Sequence, residues 1–244
     1  MNKIKAFSFS IVLCLSLIGC KHNVYDIDMI YISGGDFMMG SEETDADADP
    51  DERPIHSVHV NSFYMGKYEV TQKLWTAVMG SNPSQHRGPY LPVENVSWDD
   101  CQKFIEKLNS LTGMNYRLPT EAEWEYVATM YSKKTKGVDV KLYAWYLGSF
   151  GNQLRYASSQ KVGSLKFDSL DIYDIIGNVN EWCSDSYDSL SYSHGCTVES
   201  NEKVFKGGCF ANQENFLRPR NRNHIDRYTR HFTLGFRLAM DAQQ

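Results

Sequence analysis

The chain has no surplus of basic residues. Its 25 Lys and Arg stand against 30 Asp and Glu, a net charge of −5. Neutralising a phosphate backbone needs the opposite balance, so a nucleic-acid partner is excluded as the main one. It has few cysteines, 6 in all, with no C-x-x-C pair and no Cys/His zinc spacing, which speaks against a structural zinc site. The EF-hand grammar is also missing. Asp45, Asp47, Asp49 and Asp51 alternate in TDADADPDERP, but the sixth and twelfth positions counted from Asp45 are Pro50 and His56, where Gly and Glu belong. That loop reads as solvated and acidic. Past Met130 the periodicity of long helices disappears, and Gly, Ser, Asn and aromatic residues dominate.

What is present is enough for one sizeable core, or two small ones: 244 residues, 42% hydrophobic and 13% aromatic. The N-terminus stands apart from it. Lys3 and Lys5 precede the apolar run AFSFSIVLCLSLIG, too short to span a bilayer as a mature helix, and the run ends in Leu17-Ile18-Gly19-Cys20. This resembles a bacterial lipobox, in which cleavage leaves Cys20 as an acylated first residue; a plain secretory leader with an incidental cysteine is the alternative. The expectation is a signal peptide over 1–19, a tether over 20–28 and a folded domain over 29–241. Loss of Lys3 and Lys5 takes the net charge from −5 to −7. The domain is expected in the cell envelope, lipid-anchored on the periplasmic or surface face of the outer membrane. Four cysteines then remain. Cys101 reads as a buried thiol, and Cys183, Cys196 and Cys209 compete for one bridge.

Local patterns predict a hairpin around Gly34-Gly35 and an alternating strand through HSVHVNSFYMGKYEV, with Val58, Val60 and Phe63 inward. Three helices follow. Thr71 caps the first, which Gly80 stops. Ser97 caps the second, with Cys101, Phe104, Ile105, Leu108 and Leu111 as its buried stripe and Gly113 as its stop. Thr120 with Glu123 forms a capping box on the third. The class is α+β, with irregular loops outweighing regular elements.

Seven segments occur in one order: MIYISGGDFMMGS, DERPIHSVHVNSFYMGKYEVTQKLW, LPVENVSWDD, YRLPTEAEWEYVA, DIYDIIGNVNEWCSD, VFKGGCF and LGFRLA. From Met29 to Met240 the chain thus resembles the formylglycine-generating enzyme (sulfatase-modifying factor) family. The resemblance implies the family fold, a variant of the C-type lectin-like fold. The founding activity it implies oxidises a sulfatase cysteine to formylglycine, using oxygen and copper held by two cysteines, since soft thiolates select Cu(I). Other branches are iron-dependent sulfoxide-forming enzymes, non-catalytic lipoproteins or variable ligand-binding proteins.

The decisive stretch is KGGCFANQENFLRPRNR, Lys206 to Arg222. In the family's register Cys209 takes a serine position, and the two catalytic cysteines fall on Asn212 and Leu217. An amide and an isobutyl group cannot hold Cu(I), and no cysteine follows Phe210. No copper is therefore expected, and the chain reads as a non-catalytic binding or scaffold lipoprotein. The alternative is a family oxidoreductase with divergent metal-dependent chemistry in the same cleft. Cys209 itself reads as a bridge partner or a small buried side chain. A calcium ion is implied at Asp174, Gly177, Val179 and Glu181, against a turn in which Glu181 only accepts backbone N–H bonds. The family's second calcium site is not preserved around Tyr156-Ala157-Ser158-Ser159.

The basic residues near the C-terminus leave two readings open. Arg218, Arg220 and Arg222 could line a groove for an acidic glycan or carboxylate peptide, or pair internally with the domain's acids. The partner class is an envelope protein or glycan, with the membrane engaged through the anchor.

Overall fold

The computed structural model describes residues 24–165, 170–195 and 198–242. Cys20, the leader over 1–19 and Cys196 lie outside the described residues. The described residues form an α+β domain whose chain order is β1 (Met29–Ile32), β2 (Gly35–Met39), β3 (His56–Val60), β4 (Phe63–Gly66), α1 (Gln72–Met79), α2 (Trp98–Thr112), β5 (Tyr116–Arg117), α3 (Glu121–Thr135), β6 (Asn180–Ser186), α4 (Ser191–His194), β7 (Glu202–Lys206), β8 (Asn223–Asp226), β9 (Leu234–Gly235) and β10 (Ala239–Asp241). They build two four-stranded sheets, ordered β1-β4-β10-β5 and β8-β7-β6-β9, and a separate β2-β3 ribbon.

The helices begin and end where their local chemistry dictates. The Thr71 hydroxyl accepts the Leu74 N–H, and Gly80 closes α1 in the left-handed region. Ser97 with Asp100, and Thr120 with Glu123, form reciprocal capping boxes on α2 and α3. On α2, Cys101, Phe104, Ile105 and Leu108 are buried, but the predicted stripe runs one turn too far: Leu111 is 55% exposed. α3 runs to Thr135, five residues beyond Met130; after it the described residues contain one α-helix, the four-residue α4.

The strand pairing differs more. Gly34-Gly35 does not turn a hairpin: β1 pairs antiparallel with β4, and β2 with β3. Gly34 is there for close approach. A Cβ on it would sit 2.3 Å from the Val60 carbonyl oxygen, and its N–H donates to Ser62 Oγ at 3.0 Å. The run from His56 onward likewise breaks at Asn61-Ser62, so that β3 and β4 enter different sheets. Val60 and Phe63 are buried and Val58 half-buried, as the alternation predicts.

Two apolar cores result. One gathers Phe63, Met65, Trp124, Val127, Ile175 and Leu217 between α3 and the sheets. The other packs α1 and α2 on Trp182 and Phe236, with Trp75 stacked on Phe104 at 5.1 Å. The last residues of the expected tether belong to this second core: Tyr25 and Ile27 pack against it, and the Asp28 carbonyl accepts the Lys67 N–H. Cys101, Cys183 and Cys209 are all buried and free, so Cys183 and Cys209 do not form the expected bridge. Cys101 is the buried thiol its helical position predicts.

Candidate functional site

The site grows from the end of β7. Lys206 is fully buried, and the chain then turns through Gly207 and Gly208 with φ of 101° and 69°. A Cβ on Gly208 would meet Leu217 Cδ2 at 2.7 Å and the Phe216 carbonyl oxygen at 3.0 Å. The glycine lets the backbone lie flat on the one-turn 3-10 helix Glu214–Leu217. Cys209 follows, nearly fully buried. Its N–H and its thiol both donate to Asn212 Oδ1, at 2.9 Å and 3.0 Å. Burial pushes the Cys209 thiol above its ordinary value, so it is held as a neutral donor and not as a thiolate nucleophile.

The two positions onto which the resemblance places the catalytic cysteines have structural jobs. Asn212 closes the turn after Cys209, and its carbonyl accepts the Leu147 N–H. Leu217, 4% exposed, is a member of the main core. Copper does not fit this donor set. Cu(I) calls for thiolates, and Cys209 is one protonated thiol facing an amide and aliphatic packing. Among the described residues, no group of three or more His, Cys, Asp or Glu side chains is gathered as a metal would need.

A cavity of about 360 Å³ nevertheless remains beside Cys209 and Asn212. Four amides line it, from Asn180, Asn212, Asn221 and Asn223, and so do the rings of Phe205, Phe216 and Phe232. His231 lies at its edge, with Nδ1 2.7 Å from Thr233 Oγ1. No carboxylate, lysine or arginine contributes to the lining. Amide donors and acceptors beside aromatic faces suit a neutral polar ligand such as a sugar ring or a peptide amide.

Two of the three arginines are paired with acids of the domain. Arg218 grips Glu52 with two bonds of 2.8 Å each. Burial would raise the Glu52 carboxyl, yet hydrogen bonds from Arg218 and Ser41 hold it below its usual range. Arg222 is buried, with Nε and Nη2 on Glu121 at 2.7 Å and 2.9 Å and its plane 4.2 Å from the Tyr192 ring. Arg227 and Arg230 pair with Asp99 and Asp100. The internal-pairing reading holds for Arg218 and Arg222; Arg220 alone of the three has no such partner among the described residues.

In the turn Asp174–Glu181 the two candidate carboxylates are engaged by protein groups. Trp124 Nε1 donates to Glu181 Oε2 at 2.8 Å, and Arg237 donates to both Glu181 oxygens, with Nε at 2.6 Å. Arg237 also donates to the carbonyls of Gly66, Tyr173 and Asp174. Asp174 Oδ2 accepts the Gly163 N–H at 2.7 Å, and burial pushes the Asp174 carboxyl up to about 6. Val179 donates its N–H to the buried Glu69, which also accepts from Asn178. Burial, then the charges of Asp174 and Glu181, raise the Glu69 carboxyl. Calcium wants six or more free oxygens. Here a guanidinium already supplies the positive charge, and Glu181 is committed to it, so these residues as placed do not fit the ion. A chelator should accordingly shift the melting temperature by less than about 2 °C, equivalent to under ~1 kcal/mol. A larger drop, reversed by added calcium, would restore the ion.

Sequence reasoning missed Glu69 and Arg237 as the partners at this turn. The signal was available: each is a lone charge in an apolar run, in YEV and LGFRLA. Such a charge is buried only when paired.

Comparisons with known proteins place the chain in a family and bear on its fold. The family model described as "Sulfatase-modifying factor enzyme 1-like domain" matches residues 21–242. The "Chaperone protein LppX" of Paenibacillus barcinonensis is 31% identical, over 77% of this chain and 80% of its own length. The "Formylglycine-generating enzyme" of Thermomonospora curvata is 24% identical, over 87% of this chain and 93% of its own. The "Serine/threonine-protein kinase Pkn1" of Chlamydia trachomatis is 24% identical over 88% of this chain, but only 38% of the kinase is covered. Among solved structures, PvdO from Pseudomonas aeruginosa superposes with a TM-score of 0.75 at 24% identity, covering 88% of this chain and 94% of that one. The Treponema denticola variable protein 1 gives 0.71 at 25%, covering 88% and 95%.

Proposed function

The chain belongs to the family of sulfatase-modifying factor enzyme 1-like domains, and we propose that within it this is a non-catalytic binding domain, held in the cell envelope by an acyl group on Cys20. One observation carries the reading. At the two family positions that would be thiols, Asn212 closes a turn and Leu217 fills the core, while the cavity beside them stays open. Chemistry has been removed and a concave surface kept. The relative named a chaperone supports a protein partner, and the uncharged amide-and-ring lining supports recognition of a peptide amide or a neutral glycan.

The test has two arms. Purified protein incubated with copper, oxygen and a peptide carrying a sulfatase cysteine motif should yield no aldehyde by mass spectrometry; aldehyde at a rate above the protein-free control would sink the reading. Crosslinking from intact envelopes should enrich a partner that is lost about tenfold or more in Phe216→Ala, whose ring is 42% exposed at the cavity and removable without opening the core. Capture that is unchanged in that variant would remove the cleft from the binding surface.

A further inference from the structure

We propose a second binding site, for a tetrahedral oxyanion, formed by Arg220 with Lys133, Thr129 and Ser132. It lies away from the amide-lined cavity and stands independently of the function assigned to that cavity. The pieces come from two distant parts of the chain. On α3, Thr129, Ser132 and Lys133 sit at i, i+3 and i+4, so they share one face. Against that face lies the turn Arg218-Pro219-Arg220-Asn221, closed by the Asn221 N–H on the Arg218 carbonyl at 3.0 Å, with proline in the second position that favours such turns. Between them is a depression of about 250 Å³.

The charge balance there is what singles it out. In a chain of net charge −5, nearly every other cation of this C-terminal region is answered by an acid, yet neither Arg220 nor Lys133 has a carboxylate within pairing distance among the described residues. Arg218, on the same wall, is held by Glu52 and keeps its fork turned away. Asp45 borders the site on the Arg218 side, where its charge acts on Arg218, and its Oδ1 accepts the Asp47 N–H at 3.1 Å. The hydroxyls add directional donors. Thr135, one turn on, donates its hydroxyl back to the Tyr131 carbonyl; those of Thr129 and Ser132 make no such bond to their own helix. A planar guanidinium fork, an ammonium and two hydroxyls lining one open depression match the oxygens of a phosphate or sulfate group.

The test uses inorganic phosphate and inorganic sulfate as probes, titrated calorimetrically at constant ionic strength against a chloride background. Wild-type protein should bind saturably. Arg220→Ala and Lys133→Ala should each weaken binding about tenfold or more, since each removes charged hydrogen bonds. Thr129→Val should weaken it less, and none of the three should move the melting temperature appreciably, because these side chains pack against no core. Arg220→Lys keeps charge without the fork and should fall between wild type and alanine. Glucose 6-phosphate and glucose 6-sulfate then distinguish the two esters, the tighter one naming the group. Unsaturable binding in the wild type, or equal affinity in wild type and Arg220→Ala, overturns the site.

Discussion

Replacing Arg237 by methionine should lower the unfolding free energy by about 3–5 kcal/mol. Arg237 is 0% exposed and faces three carboxylates, those of Glu181, Glu69 and Asp174. Its fork closes on Glu181, and it also donates to the carbonyl at the end of β4, Gly66, and to the consecutive carbonyls of Tyr173 and Asp174. The pair alone is weak evidence for stability, since desolvating two ions offsets most of their attraction. Breaking it is another matter, because methionine leaves an unanswered charge in a closed interior. Chemical denaturation read by tryptophan fluorescence is the measurement. Arg237→Lys should lie between, keeping charge but losing the bidentate geometry. The double variant Arg237→Met/Glu181→Gln should recover part of the loss by removing the orphaned ion. The methionine variant should also gain relative stability on acidification. Asp174 already has its carboxyl raised to about 6 in the fold, so its neutral form is favoured there. A raised carboxyl contributes stability at low pH and loses it as pH climbs through the folded value. A loss below ~1 kcal/mol for Arg237→Met would show that the turn is held by something else.

A second large effect is expected at Lys206. Its ammonium lies 2.9 Å from Glu125 Oε2 and 3.7 Å from Glu121 Oε1, with 0% exposure of its side chain and of Glu125. Glu125 in turn accepts the Gly40 N–H at 2.8 Å, and Glu121 accepts Arg222. One cation thus ties the start of the Gly-Gly turn to α3 and to the loop after β2. Lys206→Met should cost about 3–5 kcal/mol, mostly as the penalty of an unpaired buried Glu125. Lys206→Met/Glu125→Gln should win back half or more, a coupling that a double-mutant cycle isolates. Equal instability of the single and double variants would mean that methionine fails by packing and not by charge.

Much of this was legible in the chain. The caps at Thr71, Ser97 and Thr120 depend on neighbours three residues away, so their residues name them directly. The hairpin at Gly34-Gly35 was misread because a glycine pair marks a backbone need without saying which one. There the need is room for the Val60 carbonyl, 26 positions on in sequence. Leu111 was misread because periodicity describes a face but not where its cover ends. The fold that the family resemblance implied is the one found.

By itself the sequence determined which side chains stand at 212 and 217, an amide and an isobutyl group, and no arrangement of the backbone turns either into a thiolate. It also determined the class of the fold, through caps, stops and seven ordered segments. Only the tertiary structure decided what the charges do. Arg218 meets Glu52 across 166 positions, Arg222 meets Glu121 across 101, and Glu181 meets Arg237 across 56. Charge attraction is not directional along the chain, and any acid could answer any base until packing brings particular ones together in a dry interior. The same packing left Arg220 without an ion pair among the described residues and placed it on one depression with Lys133, which neither segment announces when read alone.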